Sequence, residues 1–156
     1  DATISKLALI RVLEIKGLLY TKLIQAMNLN LNVSLELTQE FYSFPVNMLT
    51  LTRILGIFLD NAMEAAALTK ERRFHIAILK KEQRIIFHIE NSTLPPPRPL
   101  ERLMEAGFTT KENHSGIGLS NVSMLLASLP ELSHHMICEN GIMKQILIIP
   151  SKEKTA

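Results

Sequence analysis

Several things are scarce in these 156 residues. There is one cysteine, Cys138, which excludes an internal disulfide and suits a reducing compartment. There is no marked charge excess: 17 Lys and Arg face 15 Asp and Glu, for a net charge of +2. A dedicated nucleic-acid binder would carry a basic stripe, and none is present, so nucleic acid is excluded as the expected partner. No run of about 18 apolar residues occurs, so the sequence offers no membrane-spanning helix and no membrane contact of its own. The N-terminus is polar and then periodic, unlike a secretory signal, and it lacks an initiator Met, which reads as an excised piece of a longer protein. Proline is sparse outside one cluster, Pro95-Pro96-Pro97-Arg98-Pro99, which rules out a regular helix or central strand there. No internal repeat is found.

What remains is 47% hydrophobic and 21% charged, the balance of a globular domain long enough for a real core. Apolar spacing predicts an amphipathic helix over residues 3–27, with Gly17 its weak point. Asn28 to Asn32 breaks it. Leu31, Val33, Leu35 and Leu37 then alternate with Asn32, Ser34 and Glu36, as in a half-buried strand. Pro45 suits the first turn of a second helix, expected over 46–68. Phe74, Ile76 and Ile78, then Ile85, Phe87 and Ile89, read as a hairpin around the polar Lys80-Lys81-Glu82-Gln83. Residues 92–116 read as a long irregular insertion, and insertions of that length are usually functional lids or disordered. A helix is expected from Gly116 to about Ser128, ended by Pro130. A last hairpin turns at Asn140-Gly141. These elements make an α+β two-layer sandwich: a mixed sheet of about five strands with helices on one face.

One residue is out of place. Asn61 stands in the apolar run Ile54 to Ala66 of the second helix. A carboxamide there needs partners, and backbone bonding alone would satisfy it. Its carbonyl also suits Mg²⁺, which takes hard oxygen ligands and bridges phosphates. Gly116 and Gly118 let a backbone approach a ligand, and the helix after them offers free N–H groups to an anion. Lys111 with the hydroxyls of Thr109 and Thr110 can reach phosphate oxygens. Asn91, at a strand end, can read an adenine edge. Each signal is weak alone; in this order they point together to a nucleotide. His134, His135, Cys138 and Glu139 match no common zinc spacing and read as strand or surface residues.

The order of motifs resembles the GHKL (Bergerat) ATP-binding fold of histidine kinases, heat-shock chaperones, MutL proteins and type II topoisomerases. Leu59-Asp60-Asn61-Ala62-Met63-Glu64-Ala65 resembles the N box, Gly107-Phe108-Thr109-Thr110-Lys111 the kinase F box, and Gly116-Ile117-Gly118-Leu119 the G2 box. The run Lys16-Gly17-Leu18-Leu19-Tyr20, followed by Lys22, is similar to that of the peptide-pheromone, quorum-sensing kinases of Gram-positive bacteria. So is Ile89-Glu90-Asn91-Ser92 in place of an Asp-x-Gly-x-Gly box. The resemblance implies ATP and Mg²⁺ as cofactors. It implies nucleotide contacts at Asn61, Ala65, Asn91, Thr109, Thr110, Lys111, Gly116, Ile117, Gly118 and Leu119, with Asn61 as the metal ligand.

Hydrolysing relatives carry a Glu one helical turn before the N-box Asn as general base, and many kinases carry an Asn there. Here the position is Ile57. An alkyl group takes no proton, so ATP hydrolysis is not expected, whereas phosphoryl transfer rests mainly on positioning and charge. The resemblance therefore implies transfer of the γ-phosphate to a His on a dimerisation helix outside the sequence, and relay to a response regulator. Residues 1–27 would be the C-terminal part of that helix and its junction, and 28–156 the ATP-binding domain. The full-length protein would be a homodimer anchored in the cell membrane, with this part cytoplasmic. The alternatives are a serine kinase of the anti-sigma-factor type and a degenerate nucleotide-binding or dimerisation module.

Overall fold

The computed structural model of the protein describes residues 2–95 and 117–151. Strands β1 (Asn32–Glu36), β2 (Arg73–Lys81), β3 (Arg84–Ser92), β4 (Ser133–Glu139) and β5 (Ile142–Pro150) form one sheet in the order β1-β2-β3-β5-β4. Only β1 and β2 are parallel; the other neighbours are antiparallel. A parallel pair needs a crossover, and α3 (Met48–Ala66) supplies it. With α2 (Leu13–Asn28) and α4 (Ile117–Ala127), it covers one face of the sheet.

Strand alternation builds the core. Phe74, Ile76 and Ile78 of β2 stand opposite Asn91, Ile89 and Phe87 of β3, all on the helix side and buried. From the other layer come Ile15, Leu19, Leu23 and Ala26 of α2, eight residues of α3 from Leu51 to Ala66, and Val122 of α4. Both hairpins close through two-residue turns with positive φ. Asn140-Gly141 (54° and 75°) uses residues suited to it. Glu82-Gln83 (51° and 61°) does not, so β2 and β3 each run further than the polar Lys80–Gln83 stretch implies. The end of α2 is sealed as expected. Asn30 takes φ 59°, its N–H bonds Met27 O, and Leu31 N–H reaches back to Ala26 O.

Two expectations need correction. The opening segment is not one helix over 3–27. It makes a short α1 (Ala2–Ser5), a 3-10 turn (Lys6–Leu9), an extended step, and only then α2. A tertiary contact wins over helical spacing. Ile10, fully buried, forms a parallel bridge to Phe41, with Phe41 N–H bonding Leu9 O at 2.9 Å and Arg11 N–H bonding Phe41 O at 2.8 Å. Those bonds replace the helical ones given up there. Outside them Arg11 meets Glu40 at 2.9 Å, and the Tyr42 hydroxyl donates to the same carboxylate oxygen. Tyr42, and then Arg11, hold the Glu40 carboxyl below its usual range. The second helix, read from 46, starts at Met48. The side chain of Asn47 accepts from Thr50 N–H at 3.0 Å and caps it, leaving Pro45 outside the first turn.

Candidate functional site

α3 carries the central candidate. Its core face is Leu51, Ile54, Leu55, Phe58, Leu59, Ala62, Met63 and Ala66. Ile57, Asn61, Glu64 and Ala65 lie half-exposed beside it. Asn61 is therefore not sealed in the core, although it has neighbours to interact with. Ile57, one turn earlier, packs its side chain against the core cluster, and an alkyl group there offers no base.

β3 brings the second candidate. Asn91 is 2% exposed and sits on the helix side of the sheet. Its Nδ2 donates to Ser92 O at 3.0 Å. Alternation sends the neighbouring Glu90 to the opposite face, where it accepts from Arg73 and His88 at 2.9 Å each, with Lys144 at 4.0 Å. Burial pushes the Glu90 carboxyl up, but the bonds from Arg73 and His88 outweigh it and the net shift is downward. In Ile89-Glu90-Asn91-Ser92 the carboxylate is thus turned away from the helices and engaged elsewhere, while the amide lies on the side of α3.

α4 packs against α3, with Val122 fully buried. Ile117, Gly118 and Leu119 form its first turn. α3 is thus the shared neighbour of β3 and of α4, and it joins the elements that carry Asn61, Ala65, Asn91 and the Ile117–Leu119 turn. Thr109, Thr110, Lys111 and Gly116 lie outside the described residues.

Three groups nearby escaped sequence reasoning. Thr69, just past α3, and Ser92, at the end of β3, pair through their hydroxyls at 2.7 Å. Thr69 Oγ1 also bonds Ala66 O and receives Arg72 N–H, and Ser92 Oγ receives Arg73 N–H, so this buried pair ties the end of α3 to the end of β3. Arg72, which reads as part of a charged turn, reaches Leu29 O at 2.5 Å and Ala67 O at 2.9 Å, the last carbonyls of two helices. Lys22 bonds Asp60 at 2.7 Å, beside Asn61. The one available signal was the Lys16-to-Lys22 run, which gave no partner. A groove of about 400 Å³ lies on the α2 flank of α3, lined by Gln25, Asn28, Leu29, Asp60, Met63 and Glu64. None of the anticipated nucleotide residues lines it. Strand alternation divides the four β4 residues His134, His135, Cys138 and Glu139. His134 and Cys138 face the helices, His135 and Glu139 the other side. The His134 ring stacks on Phe58 at 4.9 Å.

Residues 46–150, which hold α3, α4 and β2 to β5, match the family model described as the GHKL domain. The chain belongs to the GHKL domain family. This GHKL chain is similar to the sensor protein CitS of Halalkalibacterium halodurans (strain C-125), 28% identical over 149 residues, which span 89% of the chain and 27% of that protein. The chain thus covers little more than a quarter of the length of that relative. In fold it is similar to the nucleotide-free catalytic domain of histidine kinase ThkA, with a TM-score of 0.71 at 20% identity over 88% of this chain and 90% of that one. Full-length ShkA in complex with AMPPNP gives 0.71 at 19% identity, over 91% and 31% of the two chains. Histidine kinase AdeS of Acinetobacter baumannii gives 0.66 at 17%, over 90% and 64%. At these identities the likeness is one of fold. The GHKL chain has the α+β architecture of histidine-kinase catalytic domains, with its five-stranded mixed sheet and helices on one face.

Proposed function

We propose that this GHKL chain is the ATP-binding catalytic domain of a sensor histidine kinase. A His on a dimerisation helix outside residues 1–156 attacks the γ-phosphorus of ATP, the bond to the β-phosphate oxygen breaks, and ADP leaves. An Asp of a response regulator then takes the phosphoryl group. Asn61 would hold Mg²⁺ through its amide oxygen, and the ion would supply charge neutralisation at the phosphates. Asn91 accepts from the adenine amino group through Oδ1, its Nδ2 being held by Ser92 O. Thr109, Thr110 and Lys111 close over the phosphates, and Gly116 to Leu119, with Ala65, line them.

The observation that carries this reading is that α3, with its half-exposed Asn61, packs against both β3, which holds the buried Asn91, and α4, with Ile57 where a hydrolase keeps its base. Residues 1–27 are then the junction to the dimerisation helix, and 28–156 the ATP-binding domain, with α2 the part of the junction packed into the core. The whole protein is a membrane-anchored homodimer with this part in the cytoplasm. The Lys16-to-Lys22 run favours the peptide-pheromone, quorum-sensing subclass.

A serine-directed kinase shares the fold and would need no upstream His helix; residues 2–28 do not form one unbroken helix, so they do not argue against it. The relatives that are kinases by name are histidine kinases, which favours the first reading.

Calorimetric titration with ADP and AMPPNP, with and without Mg²⁺, tests the reading beside Asn61→Ala. Magnesium-dependent binding should weaken at least about tenfold in the variant, the loss of one charge-assisted ligand. Wild-type chain that binds neither nucleotide at millimolar concentration would sink the proposal. A His-bearing helix added in trans, against a Ser-bearing partner, then separates the two kinases.

A further inference from the structure

We infer that Lys22 is a positioning residue for the nucleotide site, acting through Asp60 on the helix that carries Asn61; this rests on the nucleotide-binding reading above. Leu18 Cδ1 of α2 lies 3.9 Å from where a Cβ on Gly56 of α3 would stand. One turn further along both helices, Lys22 Nζ meets Asp60 Oδ1 at 2.7 Å. Lys22 and Asp60 are 38 residues apart, and so are Leu18 and Gly56. A constant offset means that the helices run parallel, with matching i, i+4 rungs.

The two rungs differ in kind. At the first, Leu18 faces a glycine with room left for a Cβ, so that rung is apolar and carries no directional bond. The second is directional. The Lys22 side chain is 15% exposed and Asp60 49%, so the lysine stem is largely covered and Asp60 is its ion-pair partner. Beyond it the helices part into the groove lined by Gln25, Asn28, Leu29, Asp60, Met63 and Glu64. Lys22–Asp60 is therefore a polar tie between the helices ahead of the groove, and Arg72 bonds the carbonyls at their far ends.

Asn61 follows Asp60 directly, about 100° further round the helix. A bond that fixes the direction of Asp60 fixes that of Asn61. Rolling a helix by about 20° swings a side-chain tip by about 2 Å, from a radius of about 6 Å. A misplacement of about 1 Å at a reacting group can cost on the order of a hundredfold in rate. Lys22 itself lies on α2 and pairs away from Asn61; its effect is on angle and register.

The test uses the whole chain with Mg²⁺-AMPPNP as probe. Lys22→Met keeps the stem and removes the charge; Asp60→Asn keeps the shape; Lys22→Asp with Asp60→Lys exchanges the partners. Calorimetry with and without Mg²⁺ is run beside thermal unfolding without nucleotide. Lys22→Met should bind Mg²⁺-AMPPNP about fivefold more weakly, the upper end for a partly exposed pair. Binding without Mg²⁺ should change less, and the exchanged pair should return to within about twofold of wild type. Unchanged nucleotide affinity in both Lys22→Met and Asp60→Asn, whatever the shift in melting temperature, makes the pair structural only and overturns the inference. So does an exchanged pair that binds no better than the single variants. Wild-type chain that binds no AMPPNP overturns the functional reading and this inference with it, whereas wild-type binding with unaltered variants removes only the positioning role.

Discussion

Removing the Arg72 guanidinium should loosen two helices at once. Parallel α2 and α3 bring two helix C-termini together, each carrying roughly half a negative charge. Arg72 sits between them, bonding Leu29 O at 2.5 Å, Ala67 O at 2.9 Å and Asn30 O at 3.2 Å. The site is half-exposed, so the two short bonds are taken at about 1 kcal/mol each, below the charged-bond range, and the two dipole contacts add about 0.3 kcal/mol each. Arg72→Ala should therefore cost about 2–3 kcal/mol, or about 4–12 °C in melting temperature for a chain of this size. The residue also takes φ 52°, which costs any side chain but glycine about 1 kcal/mol. Arg72→Gly loses the same bonds but escapes that cost, so it should be about 1 kcal/mol more stable than Arg72→Ala. Arg72→Lys keeps a charge without the fork and should fall between wild type and Ala. Urea unfolding of the three variants decides. Arg72→Ala within about 0.5 kcal/mol of wild type would refute the double-cap reasoning, and Gly no better than Ala would refute the backbone part.

Asn47→Ala should cost about 1 kcal/mol in urea unfolding by removing the α3 cap; a loss under a few tenths would mean that the Thr50 N–H finds water instead. Acid should destabilise the protein first through His134 and His75, whose values burial lowers below the ordinary 6.5. Folding there excludes a proton, so the contribution is full above pH 6.5 and falls as pH drops through it toward the lower folded values. Glu90, also lowered, loses its contribution only as pH falls below 4.5. Unfolding midpoints at pH 7.5, 6.5 and 5.5 should show this slope, and His134→Gln should flatten it. An unchanged slope would place the proton elsewhere.

Much of this architecture is legible because it is local. β1, the β4–β5 hairpin and the α2 stop at Asn30 follow from alternation and turn chemistry within a few residues, and the β2–β3 hairpin from alternation alone. Asn61 stands out because a polar amide interrupts an apolar helix, and Asn91 because it ends a strand. The break at Ile10 is illegible for the opposite reason: its partner Phe41 lies 31 residues on, and Ile4, Leu7 and Ile15 keep a helical period across it. Arg72 was hidden because no glycine or asparagine marked its positive φ. Thr69 with Ser92, and Lys22 with Asp60, are contacts between separate elements, which periodicity within one element cannot encode. At the candidate site, which elements meet is therefore foreseeable, while what holds them in place is not.

The parallel pairing of β1 with β2 also sets an order of assembly. β2–β3 and β4–β5 close through two-residue turns, a microsecond event for isolated hairpins. β1 reaches β2 only across α3, with Ser34 meeting His75 at a separation of 41 residues. Its loop-closure entropy must be met before any contact rewards it, so β1 joins late. Pulse-labelled amides that pair within the β2–β3 and β4–β5 hairpins should gain protection before those of β1 during refolding; the reverse order would contradict this. Until β1 docks, β2 is an open edge. A half-folded chain therefore presents Phe74, Ile76 and Ile78 beside unpaired backbone, and at high concentration its competitor for that edge is the β-strand of another unfinished copy.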